Sequence, residues 1–319
     1  MRALRYDRYG QADVLYVADL PEPVPAGGEA KVRVRAASLN PLDWKIRAGH
    51  VRFLPVFRAP PRGMGADFAG EIVGVGGGAT SRHLGERVFG SLLPFGREGT
   101  LAEYIVVALD RLVPIPENID DEHAAALPIA GGTALQALTD EAALASGQRV
   151  LITGAGGGVG HFAVQIAKHI GAHVVAVCSA GNAEFVRSLG ADEVVDYAHD
   201  DFTHRSDRFD VVLDAACASS FAAAKSVLTE AGCYINTGGD AGAVVGTAVS
   251  AMFARFTSRQ RAIPLALRSG PAIWNRLAQL ARDGVLRAHV ERTIALEEVA
   301  DAQRAMRTGH GRGKIVVRP

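Results

Sequence analysis

Apolar and polar residues alternate along Ala30-Lys31-Val32-Arg33-Val34-Arg35-Ala36, a period of two that predicts a strand with one buried and one solvated face. Strand-like runs recur at Phe68-Ala69-Gly70-Glu71-Ile72-Val73 and Tyr104-Ile105-Val106-Val107, and Gly85 to Gly90 reads as a turn leading into a strand. Proline and glycine clusters at Pro21 to Gly28, Pro55 to Gly65 and Gly74 to Gly78 punctuate these runs, so residues 1–121 read as a β-rich domain. From Glu122 the pattern changes to alanine-rich helix, over His123 to Leu127 and Gly131 to Leu138. Buried strands (Val150 to Thr153, His173 to Cys178, Phe209 to Asp214, Cys233 to Asn236) then alternate with helices (Val159 to Ile170, Glu184 to Leu189, Phe221 to Leu228). That alternation predicts a doubly wound parallel sheet over residues 122–262. Residues 263–319 carry an amphipathic helix with Ile273, Leu277 and Leu280, a second helical pattern over Leu296 to Met306, and a closing strand, Lys314 to Val317. This tail is expected to return to the first domain.

The stretch between the first two parallel strands carries the most chemistry. It reads Gly154-Ala155-Gly156-Gly157-Gly158-Val159-Gly160, then an apolar stripe of Val159, Phe162, Ala163, Ile166, Ala167 and Ile170, with Gly171 as helix stop. Glycines there let the chain turn sharply and let a phosphate approach the main chain, while the N–H groups opening the helix face the anion. The spacing is Ala155-x-Gly157-x-x-Gly160, with alanine at the usual first glycine. Flanked by strand, helix and strand, the motif points to a dinucleotide. An acidic residue closing the second strand would bond the adenosine ribose of NAD. Cys178-Ser179-Ala180-Gly181-Asn182 holds no carboxylate there, and Ser179 can donate to a 2′-phosphate, which points to NADP.

The 319 residues are 48% hydrophobic, and 34 basic side chains balance 34 acidic ones. That suffices for two domains and gives no reason to invoke nucleic acid or an acidic membrane as partner. Ala241 to Ala254 is the longest uncharged stretch, broken by glycines and too short to span a bilayer. Cys178, Cys217 and Cys233 read as buried free thiols, and Met1 to Tyr6 has no signal-peptide character, so a cytoplasmic protein is expected.

Several motifs in order resemble the medium-chain dehydrogenase/reductase superfamily and, within it, the zinc-free quinone oxidoreductases related to zeta-crystallin. They are Ser38 to Asp43, Gly65 to Gly70, Gly85-Glu86-Arg87-Val88, Ala126 to Ala134, the glycine turn, Leu189 to Tyr197, and Gly311-Arg312-Gly313-Lys314. The resemblance implies an α/β chain: a GroES-like β-rich catalytic domain plus a Rossmann domain. Zinc-dependent relatives carry an early cysteine and a Gly-His-Glu triplet; the matching positions here read Pro41-Leu42-Asp43-Trp44 and Gly65-Ala66-Asp67, with no cysteine before Cys178. Metal-free hydride transfer from NADPH to a quinone or the C=C bond of an enone is therefore expected, since such acceptors are already electron-poor.

By the same resemblance Asn40 lies beside the nicotinamide, able to hold a ribose or a substrate oxygen, unless it only forms an Asn-Pro turn. Asp43 is the acidic member of that stretch, or a structural carboxylate bonding backbone. Thr133 falls near the carboxamide, or caps a helix. Ser179, Asn182 and Tyr197 border the adenosine 2′-phosphate, with Asn182 where relatives carry a lysine or arginine. Thr237 and Gly238 close another strand at the cofactor, and Lys314 is a residue of the cofactor cleft or a solvated lysine. His161 and His169 read as solvated on the polar flank of the glycine-turn helix. Trp44 has no O–H to give, so the proton comes from water or a side chain the sequence does not identify. The alternative is an NADPH-binding redox-responsive or RNA-binding protein with little turnover. The resemblance also implies a homodimer, since relatives pair the edge strands of their Rossmann sheets.

Overall fold

The computed structural model describes residues 1–52, 59–77, 82–92, 99–238, 241–309 and 311–319. Parts of the clusters at Pro55 to Gly65 and Gly74 to Gly78, and His310, lie outside them. In chain order the N-terminal elements are β1 (Arg2–Tyr6), β2 (Tyr16–Asp19), β3 (Glu29–Ser38), α1 (Pro41–Arg47), β4 (Arg62–Gly63), β5 (Asp67–Val75), β6 (Arg87–Ser91), β7 (Tyr104–Ala108), β8 (Val113–Pro114) and α2 (Asp121–Ala126). Next come α3 (Gly132–Leu135), β9 (Arg149–Thr153), α4 (Gly160–Ile170), β10 (His173–Cys178), α5 (Ala183–Ser188), β11 (Glu193–Asp196), β12 (Phe209–Asp214), α6 (Phe221–Ala224), β13 (Leu228–Asn236), α7 (Ala241–Thr257) and β14 (Arg261–Pro264). The last are α8 (Pro271–Arg282), β15 (Val290–Ala295), α9 (Val299–Met306) and β16 (Lys314–Arg318). Two compact units result: residues 1–129 with 269–319, and residues 130–268.

The first unit is built around β3, whose alternation is realised: Ala30, Val32, Val34 and Ala36 are buried. β3 pairs antiparallel with β5, with β7 and, at its far end, with β16, where Val316 meets Ser38. Ser38 also stands opposite Asp67 of β5. Three strands thus bring the end of β3, the start of β5 and the start of β16 together, although they are distant in sequence. Val32, Phe68, Ile72 and Val88 are fully buried beneath them, each stabilising by about 1.5–3 kcal/mol. α1 follows the end of β3 directly, and α2 packs against β3 and β5.

The second unit is a six-stranded sheet in the order β11-β10-β9-β12-β13-β14, parallel throughout. Counted from β9 this is 3-2-1-4-5-6, the order in which the chain reverses direction of winding between the first and fourth strands. Near-continuous β-branched sequence suits such strands because both faces are buried; Val150, Leu151, Ile152, Val174, Val175 and Val212 are fully covered. Gly171 ends α4 in the left-handed conformation, φ +90°.

Some local expectations are corrected. The helix over Phe221 to Leu228 stops at Ala224, with a single tighter turn to Val227, because Leu228 pairs with Phe209 and begins β13. His161 is buried, not solvated: its ring Nδ1–H donates to the Gly157 carbonyl (2.9 Å) and the ring packs against Phe162. His169 is exposed as expected. Cys178 and Cys233 are buried free thiols, whereas Cys217 is only half-buried, in a left-handed turn with φ +55°. Ala241 to Ala254 forms most of α7, whose outward face exposes Val245, Val249, Met252 and Phe253.

Candidate functional site

In the second unit the glycine turn lies at the point where the winding reverses. Gly154, directly after β9, takes φ +60°, and a Cβ there would stand 3.1 Å from Ala216 at the end of β12. Gly154, one residue before the alanine that replaces the usual first glycine, thus makes the sharp bend. Its carbonyl accepts from the Gly157 N–H at 2.9 Å. A Cβ on Gly160 would come within 2.2 Å of that same carbonyl oxygen, so the last glycine is required for helix and strand to meet. A Cβ on Gly156 would lie 2.8 Å from the Asn182 amide, whereas one on Gly157 would meet only the Gly154 oxygen, at 3.3 Å. Ala155, Gly156, Gly157, Gly158 and Val159 therefore form a side-chain-poor cradle at the opening of α4.

The ends of the neighbouring strands complete it. Ser179 follows β10 directly, and the Tyr197 N–H, after β11, donates to the Cys178 carbonyl (3.3 Å). That bond and the contact between Asn182 and the turn bring Ser179, Asn182 and Tyr197 to one edge of the cradle. Tyr197 is 55% exposed there. Asp196, level with Cys178 in the sheet, is the acidic group of this edge, and its carboxylate is turned back to accept from the Ala198 N–H (3.1 Å).

Across the switch point, Asp214 is fully buried at the end of β12. It accepts from the Thr153 hydroxyl (2.5 Å), the Tyr234 phenol (2.8 Å) and the Ser219 N–H (3.0 Å), which pins the loop after β12 beside the cradle. Burial and the Asp214 charge push the Tyr234 phenol above its usual range. At the end of β13, Thr237 donates to the Asp214 carbonyl (3.4 Å), and the Gly238 N–H donates to Asn236 Oδ1 (3.0 Å). Thr133 sits inside α3, buried and not at a cap, on a helix that packs against α4.

In the first unit, Asn40, Asp43, Asp67 and Lys314 form one buried polar cluster, exposed by 3%, 4%, 0% and 4%. Asn40 is the N-cap of α1, Pro41 occupies its first turn, and Asp43 at the third position accepts the Asn40 N–H at 2.7 Å. Lys314 Nζ donates to Asn40 Oδ1 and to the Leu39 carbonyl, both at 2.7 Å. Asn40 Nδ2 donates to Asp67 Oδ2 at 2.9 Å and, weakly, to the Ser38 carbonyl at 3.4 Å. Asp67 Oδ2 also accepts from the Ser38 hydroxyl (3.2 Å) and the Ile129 N–H (3.4 Å). Burial raises the Asp43 carboxyl to about 7, helped by the charge of Asp67, while the Asn40 N–H and Lys314 oppose the rise. Burial likewise raises Asp67 to about 6, against Lys314 and the Asn40 amide, and burial pushes the Lys314 ammonium down. Asp43 bonds backbone, as its structural reading anticipated, and Lys314 is not a solvated lysine.

Both assemblies have counterparts in known proteins. Residues 26–117 match the family described as "Alcohol dehydrogenase GroES-like domain" and residues 189–317 that described as "Zinc-binding dehydrogenase". The "Chloroplast envelope quinone oxidoreductase homolog" of Arabidopsis thaliana is 37% identical over 100% of this chain and 98% of its own. The chain belongs to the medium-chain dehydrogenase/reductase superfamily, in its quinone oxidoreductase group. Among superfamily members, the "NADPH-dependent alkenal/one oxidoreductase, chloroplastic" of Arabidopsis thaliana is 31% identical over 100% of this chain and 80% of its own. The solved quinone oxidoreductase from Coxiella burnetii superposes with a TM-score of 0.87 at 30% identity, covering 100% of this chain and 99% of that one.

For a member of this superfamily the zinc question falls on definite positions. Among the described residues no group of three or more His, Cys, Asp or Glu side chains is placed to hold a metal ion. Gly65-Ala66-Asp67, the counterpart of the zinc enzymes' Gly-His-Glu, contributes Asp67, a residue to which the sequence assigned no role beyond its departure from that triplet. Its burial opposite Ser38, and hence its bond to Asn40, follows from the β3–β5 register, which no local pattern announces.

Proposed function

We propose that this chain is an NADPH-dependent oxidoreductase reducing quinones or α,β-unsaturated carbonyl compounds by hydride transfer without a metal. The observation that carries the cofactor half is the glycine cradle at the switch point, edged by Ser179, Asn182 and Tyr197, with the Asp196 carboxylate engaged by the Ala198 N–H. Gly157 leaves space that a Cβ would fill, as a pyrophosphate held by backbone N–H groups requires, and Gly156 gives room for the Asn182 amide to approach the turn. Bound there, NADPH supplies a hydride from its reduced nicotinamide. Ala155 to Gly160 would hold the pyrophosphate, and Ser179, Asn182 and Tyr197 would hold the 2′-phosphate end. Thr133, Thr237 and Gly238 line the path of the cofactor.

Asn40 serves the reaction as an acceptor. Its N–H groups already point at Asp67 and the Ser38 carbonyl, which leaves a lone pair on Oδ1 to receive a ribose hydroxyl. Asp43 fixes the Asn40 main chain, and water delivers the proton that completes reduction. The metal-free reading is supported by donor chemistry: the two stretches that hold thiolate and imidazole in zinc relatives supply only carboxylates here, and the Lys314 ammonium stands 2.7 Å from the amide between them. The relatives' names, quinone oxidoreductase and alkenal/one oxidoreductase, support the choice of acceptor.

We also place the protein in the cytoplasm, as its reduced, buried Cys178 and Cys233 suit, to be checked by cell fractionation. No helix among the described residues is long and apolar enough to cross a membrane. The test of function is steady-state oxidation of NADPH and NADH with 1,4-benzoquinone, 9,10-phenanthrenequinone and short 2-alkenals. Turnover with at least one acceptor, faster with NADPH, is expected; NADPH left unoxidised by every acceptor would overturn the proposal.

A further inference from the structure

The first unit carries a cluster of arginines that no step of the hydride transfer uses. Arg47 closes α1 and is exposed by only 1%. Its Nε donates to Gln303 Oε1 of α9 (3.1 Å) and its Nη1 to the Gly10 carbonyl (2.6 Å); Nη2 has no acceptor among the described residues. An arginine N–H only donates, so Gln303 turns its oxygen to Arg47, and its Nε2 is left buried without an acceptor. An unmet buried donor costs stability until a partner supplies the lone pair.

Both side chains line one open cavity of about 320 Å³, where α9 packs against the short helical turn Ala12–Val14. Arg304, in the last turn of α9, and Arg307, just beyond it, line the same cavity. Arg304 pairs with Asp301, while Arg307 donates to Gln11 Oε1 (2.5 Å) and lies 5.3 Å from the centre of the Trp44 ring. Asp13 is the only carboxylate among the described lining residues. Three guanidinium groups against Asp13 and Asp301 leave the cluster positive. Burial lowers the Arg47 guanidinium from its ordinary value; Tyr6 and Asp13 favour its charge, and Arg307 and Arg304 oppose it. An anion entering the cavity would relieve that repulsion. A phosphate suits the cluster better than a carboxylate, because its tetrahedral oxygens take donors arriving from α1 and α9 at once.

We propose that this cavity binds a phosphate group, free or carried as a monoester on a small organic molecule, through Arg47, Gln303, Arg304 and Arg307. The site belongs wholly to the first unit and does not depend on the NADPH reading.

Calorimetric titration with inorganic phosphate, glycerol 3-phosphate and malonate, at fixed ionic strength in phosphate-free buffer, tests it, each variant being accompanied by a melting curve. Saturable binding of phosphate or its monoester is expected. Tighter glycerol 3-phosphate identifies an organic ester as the ligand, and no advantage over inorganic phosphate identifies the free anion. Gln303→Glu keeps the acceptor for Arg47 but puts a carboxylate in place of the unmet donor. It is expected to abolish binding without lowering the melting temperature, a loss that a merely structural Gln303 would not give. Arg307→Gln is expected to weaken binding about tenfold, the worth of one hydrogen bond to a charged group, and serves if Gln303→Glu does not fold. Gly157→Ala is expected to bind as the wild type does, which separates this cavity from the glycine cradle. No saturable binding by the wild type, a preference for malonate, binding unchanged in Gln303→Glu and Arg307→Gln, or binding lost in Gly157→Ala would each overturn the inference and leave the functional reading standing.

Discussion

Asp43 and Asp67 are carboxyl groups whose surroundings hold their protons. Their ordinary value is 3.8, and burial raises them to about 7 and about 6. Between those values the folded state keeps protons that the unfolded chain has released, so their contribution to stability is complete below about pH 4 and is lost as pH rises through 6 to 7. The melting temperature is therefore expected to fall between about pH 5 and pH 8, and Asp43→Asn to flatten that slope. Differential scanning calorimetry across this range checks it; an unchanged slope in Asp43→Asn would contradict the assignment. At this scale the sequence was legible for identity more than for partnership. Asn40 and Asp43 were visible as an Asn-Pro-x-Asp motif, but Lys314 lies 274 residues from Asn40, and only the strand pairing of β16 with β3 joins them. His161 was misread for a related reason: helical periodicity gives its face, and the glycine turn that covers that face is outside the period.

At the scale of elements, the glycine turn separates two effects of a missing side chain. Gly160 is needed by the fold, because a Cβ would stand 2.2 Å from a main-chain oxygen; Gly157 leaves space for a ligand, its Cβ meeting only one atom at 3.3 Å. Gly160→Ala is expected to lower the melting temperature by several degrees and to abolish NADPH binding. Gly157→Ala is expected to keep the melting temperature within about 1–2 °C while weakening NADPH at least tenfold, through steric exclusion of the phosphate. Thermal melts with NADPH titrations measure both, and equal destabilisation by the two would refute the distinction. The strands and α4 were legible because their apolar periods are long and undisturbed. α1 was overlooked although its cap, its proline and its third-position aspartate all stand in the sequence, since a seven-residue helix offers too little period to count. α7 was hidden by composition: it carries apolar residues on its outward as well as its inward face.

At the scale of the molecule, the strand order 3-2-1-4-5-6 followed from the alternation of strand and helix, which leaves few ways to wind a parallel sheet. Association of chains is the proposal of this scale. β14 closes the order of described strands at one edge of the sheet, and α7 beside it exposes Val245, Val249, Met252 and Phe253. An open edge and an apolar stripe are what a second copy covers. Light scattering is expected to give twice the chain mass, shifting to a single chain in Phe253→Glu; a single-chain mass for the wild type would contradict the dimer. The central claim, hydride transfer from NADPH with no metal, is tested most directly by turnover after exhaustive dialysis against a chelator. Undiminished NADPH-dependent reduction of a quinone or 2-alkenal by protein free of zinc is the result predicted, and activity lost on dialysis and restored by zinc would contradict it.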